Sequence, residues 1–95
     1  MRIAKVVGVA VATVKDRRLE GGKLLLVAPA DPAGQALERP LVALDMVGAG
    51  DGELVLVVEG SSARTAAGDA NRPVDAAIVG ILDSLRHDGQ MTYQK

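Results

Sequence analysis

Apolar residues fall in short runs separated by glycine, proline or charge, and each run has a readable period. Ile3 to Val14 alternates Val7, Val9 and Val11 with Gly8, Ala10 and Ala12. That period of two, with high Val and Thr content, predicts a strand whose small-residue face is open to close approach. Lys15 to Gly22 is a charged loop ended by a glycine pair. Lys23 to Ala28 is continuously apolar, as in a strand covered on both faces, and Pro29 should stop it. Pro29 to Pro40 is turn-rich and reads as a long connection or a hairpin end. Leu41 to Val47 is the third predicted strand, with Asp45 its one polar interior position. Gly48-Ala49-Gly50-Asp51-Gly52 permits positive φ and leads into a fourth strand, Glu53 to Glu59, so this stretch predicts a β-hairpin.

Gly60 to Gly68 reads as one or two helical turns, with Ser61 as N-cap and Gly68 as the terminal glycine. Val74 to Leu82 carries enough alanine for a helix, but Pro73 ahead of it and Ile78, Val79 and Ile81 within it favour a fifth strand. Asp83 to Lys95 is polar, contains Gly89, and is expected to be a tail that takes order only against a partner. The resulting fold class is mainly all-β: a small five-stranded OB-like barrel with one short helix before the last strand. It should span residues 1–83, with residues 84–95 as a polar C-terminal tail.

Composition adds a constraint. The chain has 95 residues, 48% of them apolar, yet Tyr93 is its only aromatic and it has no cysteine. A domain this short buries roughly 60 to 70% of its unfolded surface. Neither aromatic bulk nor disulfides are available to compensate, so oligomerisation is the expected source of further burial. A net charge of −1 provides no footprint for nucleic acid. No apolar run approaches the roughly 20 residues of a spanning helix. The N-terminal stretch lacks a signal-peptide pattern, and the absence of cysteine fits a cytosolic protein.

Candidate chemistry is sparse. The GAGDGE segment, Gly48 to Glu53, has glycines as a phosphate loop does, but it precedes a strand rather than a helix, and Asp51 and Glu53 would repel phosphate. In a ring, such side-chain-poor loops can converge on a symmetry axis without crowding. Ser61 and Ser62 lack an evident base, because His87, the sole histidine, lies in the tail. Arg64 could meet an anion or a neighbouring carboxylate. Asp45 and Asp75 are carboxylates near strands, and nothing in the sequence brings them together for acid–base work. The reading is therefore of a non-enzyme with no catalytic, cofactor or metal residues. An OB-type barrel suggests, as an alternative, a small binding module for an oligonucleotide or another acidic partner. The missing aromatics and the acidic balance count against it.

The order and spacing of Lys5-Val6-Val7-Gly8, Val11-Ala12-Thr13, Lys23 to Val27, Asp45 to Glu53, Gly60 to Arg64 and Pro73 to Gly80 carry a resemblance. Together they resemble the EutN/CcmL family, the pentameric vertex proteins of bacterial microcompartment shells, carboxysomes included. The resemblance covers about Met1 to Asp83. It implies a homopentamer at the corners of a polyhedral shell in the cytoplasm, among hexameric or pseudohexameric tiles, with no nucleic acid or membrane partner. It also places Gly48, Ala49, Gly50, Asp51, Gly52 and Glu53 toward a narrow opening on the five-fold axis. Asp51 and Glu53 would then form an acidic ring able to bias which ions pass, and Ser61, Ser62 and Arg64 are the expected subunit-interface residues. Cyclic closure buries surface that a single copy leaves open.

Overall fold

The computed structural model describes residues 1–95. Its first strand, β1 (Arg2–Ala10), serves two neighbours. Its start pairs antiparallel with β4 (Leu54–Glu59), and from Ala4 onward it pairs with β2 (Lys23–Pro29). A register shift between Val6 and Gly8 marks a bulge, the device that lets one strand bend around a small barrel. The strand expected to reach Val14 ends at Ala10, whose partner Leu24 is nearly the first residue of β2. Beyond that point no ladder is on offer, and Val propensity alone does not hold a strand. Val11 and Val14 are consequently 88% and 96% exposed.

The charged connection that follows is partly ordered by its own charges. Asp16 caps a 3-10 turn, Arg17–Leu19, by accepting from the Arg18 backbone N–H. The same carboxylate is gripped by the Arg18 guanidinium, and these two contacts lower its pKa to about 2. Pro29 does not precede the end of β2 but forms it, pairing with Ala4. A missing N–H is tolerable at a terminal ladder position.

β3 (Leu41–Asp45) pairs with β2, and β5 (Ala76–Ile81) closes the barrel between β3 and β4. The order β1-β2-β3-β5-β4 is the mainly β, five-stranded barrel expected, and the short helix precedes its last strand. One expected pairing is overturned. The glycine segment does not make a hairpin, because β3 and β4 are not neighbours. β3 runs parallel to β5 through Leu44–Ala77 and Asp45–Ile78, while β4 pairs with β5 from its other side through Val57–Ile78 and Val58–Ala77. Each strand has two edges, and those of β4 are taken by β1 and β5.

The helix α1 (Ser61–Ala66) starts one residue earlier than its serines suggest. Gly60, at φ 64°, is the N-cap, and no side chain caps the end. Its N–H donates to the Asp75 carbonyl, so the strand-to-helix corner is set by backbone alone. The other end matches expectation. Gly68 N–H reaches the Thr65 carbonyl and Asp69 N–H the Arg64 carbonyl, the paired bonds of a Schellman stop.

The tail is a second correction. Residues 84–95 include a hairpin, β6 (Ser84–His87) and β7 (Gln90–Gln94), turned by Asp88 and Gly89 at φ 53° and 75°. Asp-Gly is a strong two-residue hairpin signal, and polar composition hid it. Its root is held by Lys95 N–H donating to the Asp83 carbonyl. Burial is divided between two aliphatic cores. The barrel interior gathers Ala4, Val6, Leu25, Val27, Val55, Val57 and Ile78 with three further alanines. Ala63 of α1 closes a smaller one with Leu44, Val58, Val74 and Ala77.

Candidate functional site: the glycine loop

The segment joining β3 to β4 is tied down by two carboxylates. Asp45, at the last position of β3, turns both oxygens into the loop. One accepts from the Val47 and Gly48 N–H groups at 3.0 and 3.1 Å, the other from Ala49 N–H at 3.0 Å. Short acidic side chains capture nearby backbone N–H groups in this way at turns. Glu53, at the far end, accepts from Gly50 N–H at 2.6 Å. Val6 then receives Gly52 N–H and donates to the Glu53 carbonyl, stitching the loop to β1. The Ala49 methyl group is buried in the barrel core, so the loop is packed onto the barrel rather than standing away from it.

Two glycines are required by conformation. Gly48 and Gly52 sit at φ 77° and 82°, where an added Cβ would meet no neighbouring atom and only the backbone would object. Asp51, between the latter and Gly50, is exposed and forms neither a hydrogen bond nor an ion pair. Glu53 differs. Its second oxygen pairs with the Lys95 ammonium, and this contact, followed by the Gly50 N–H, holds its pKa below the ordinary glutamate range. Of the two acidic side chains assigned to the loop, only Asp51 keeps a free charge.

Ser61 and Ser62 are exposed on the first turn of α1, with neither hydroxyl bonded to another residue, while Arg64 is half-buried and makes no ion pair. The three share a helix, which lies apart from the glycine loop in the chain. His87 stands on β6 beside Asp88 at 3.7 Å. Both Asp45 oxygens are committed to loop N–H groups, so it cannot serve with Asp75 as a free acid–base pair. Tyr93 is half-buried, its ring beside Gly34, and as the sole aromatic it has no second ring with which to stack successive bases. Two contributions to the site were not evident from sequence, the clamping role of Asp45 and the contact made by Lys95. Asp45 had a signal, an acidic residue just ahead of a glycine turn. Lys95 had none, being far from Glu53 in the chain.

This geometry defines a small OB-like barrel with a rigid, side-chain-poor loop packed against it. The chain belongs to the EutN/CcmL family: the family model described as ethanolamine utilisation protein EutN/carboxysome matches residues 1–83. It is 48% identical over 95 residues to the carboxysome shell vertex protein CcmL of Synechococcus elongatus, covering 100% of this chain and 96% of that one. Identity to the bacterial microcompartment shell vertex protein EutN of Escherichia coli is 43%, with 100% of both chains covered. Among solved structures, CcmL of Gloeobacter violaceus superposes with a TM-score of 0.92 at 44% identity, covering 100% and 98% of the two chains. GrpN, a pentameric microcompartment shell protein from Rhodospirillum rubrum, gives 0.82 at 41% identity, covering 92% and 100%.

Proposed function

We propose that the chain is a vertex subunit of a bacterial microcompartment shell in the cytoplasm. Five copies form a closed ring that sits at a corner among hexameric or pseudohexameric tiles. The observation that carries this reading is the end-to-end match to proteins named shell vertex proteins, together with the fold shared with a pentameric one. The role is geometric: flat hexagonal tiling closes into a polyhedron only where five-fold units replace six-fold ones.

The chain's own surface supports the ring. Val7, Val9 and Val42, on the strands either side of β2, are 44%, 49% and 45% exposed, an aliphatic surface for sister subunits to cover. In the ring, residues 48–53 face the axis and Ser61, Ser62 and Arg64 face a neighbour. The charge at the opening then rests on Asp51. Five chains of 9.8 kDa come to about 49 kDa. Light scattering of the purified protein should return that mass, and a stable species at the mass of one chain would overturn the ring.

A further inference from the structure

Lys95 is fixed at both ends. Its backbone N–H donates to the Asp83 carbonyl at 2.9 Å, at the root of the hairpin, and its ammonium reaches the Glu53 carboxylate. Glu53 is in turn the residue that holds Gly50 N–H, and its side chain is only 20% exposed. No other acceptor serves that N–H. A carboxylate so covered keeps its place when a cation stands beside it and otherwise gains by swinging out to water. β6 and β7 pair with each other and with no barrel strand. The Lys95–Glu53 contact therefore joins the end of the hairpin to the glycine loop.

We propose that Lys95 is a positioning residue for the 48–53 loop, acting through Glu53 to hold Gly50 and thereby the placement of Asp51. The consequence for an axial opening rests on the ring reading above, whereas the contact itself does not. The hairpin is then more than an appendage. A displacement of its end is transmitted to the loop through one ion pair and one short hydrogen bond.

The test compares Lys95→Met with Lys95→Arg in the full-length protein. The readout is hydrogen exchange at the Gly50 amide by NMR, with light scattering on the same samples. With the Lys95 end half in water the ion pair contributes modestly, so the Met variant should exchange about three- to five-fold faster at Gly50, and the Arg variant close to the unmodified rate. Ala49, held by Asp45 instead, should be unchanged in both. Unmodified exchange at Gly50 in the Met variant overturns the proposal, as does an Arg variant that behaves like Met. A unit mass of one chain in all samples would refute the ring, while the exchange ratio would still decide the role of Lys95.

Discussion

Replacing Asp45 tests whether the loop is held in the way its geometry indicates. The alanine variant leaves three N–H groups without their acceptor: Val47, Gly48 and Ala49. Val47 and Gly48 are exposed and can turn to water, but Ala49 is buried in the barrel core and cannot do so without leaving it. The cost is therefore close to that of one charge-assisted bond with its buried donor orphaned, about 2–3 kcal/mol, rather than three times that. For a domain of this size that corresponds to a melting temperature lower by roughly 8–24 °C. Asparagine should cost about as much, about 2–3 kcal/mol: its one carbonyl oxygen can still receive Val47 and Gly48, but its amide group presents hydrogens where Ala49 needs an acceptor, so the same buried donor is orphaned. The assay is urea unfolding at one fixed protomer concentration, because the proposed ring would make apparent stability concentration-dependent. An alanine variant within about 0.5 kcal/mol of the unmodified protein would refute the assignment of Asp45 as the clamp.

Two further outcomes follow from the packing of the barrel and its loop. Ile78 is fully buried where β5 meets β3 and β4, so Ile78→Val should cost about 1 kcal/mol and Ile78→Ala about 2–5 kcal/mol in the same unfolding assay, with a near-neutral alanine variant refuting its place in the core. Glu53 should titrate below the ordinary glutamate range when its carboxyl carbon is followed by NMR, and Lys95→Met should move the midpoint upward. Because the folded pKa is the depressed one, the contact's stabilisation is present above the unfolded value and fades as pH falls through the folded one. A midpoint unaffected by Lys95→Met would assign the depression to Gly50 alone.

The residues that made strands legible are those whose pattern is a property of one segment. The Val runs of β1 and β4 and the Leu run of β2 announce themselves at their own positions, and Gly68 marks the helix end without reference to anything distant. Pairing is different, since it depends on which edges other strands have left free. The glycines at 48, 50 and 52 told only that the chain changes direction; that β5, arriving later, would insert between β3 and β4 is a fact about the closed sheet. The same division runs through the site. Asp45 beside its glycines is a local signal, while the partnership of Glu53 with Lys95 joins segments that the sequence keeps far apart.

The near absence of aromatics can be explained by the barrel itself. Four of the ten residues filling its interior are alanines, Ala4, Ala43, Ala49 and Ala76, set among valines, Leu25 and Ile78. An interior enclosed by five short strands and lined at that spacing takes a phenyl ring only by forcing the strands apart, and overpacking is itself destabilising. Outside the barrel the same economy appears: a Cβ on Gly8 would stand 3.2 Å from Leu26, and one on Gly80 3.4 Å from Leu56, so leucines lie over glycines on the next strand. On the strands either side of β2, Val7, Val9 and Val42 remain half open to water. A monomer gains nothing from that arrangement. A subunit covered by sister copies, as in the proposed ring, would gain from it, because exposed aliphatic strands supply burial that the small interior cannot.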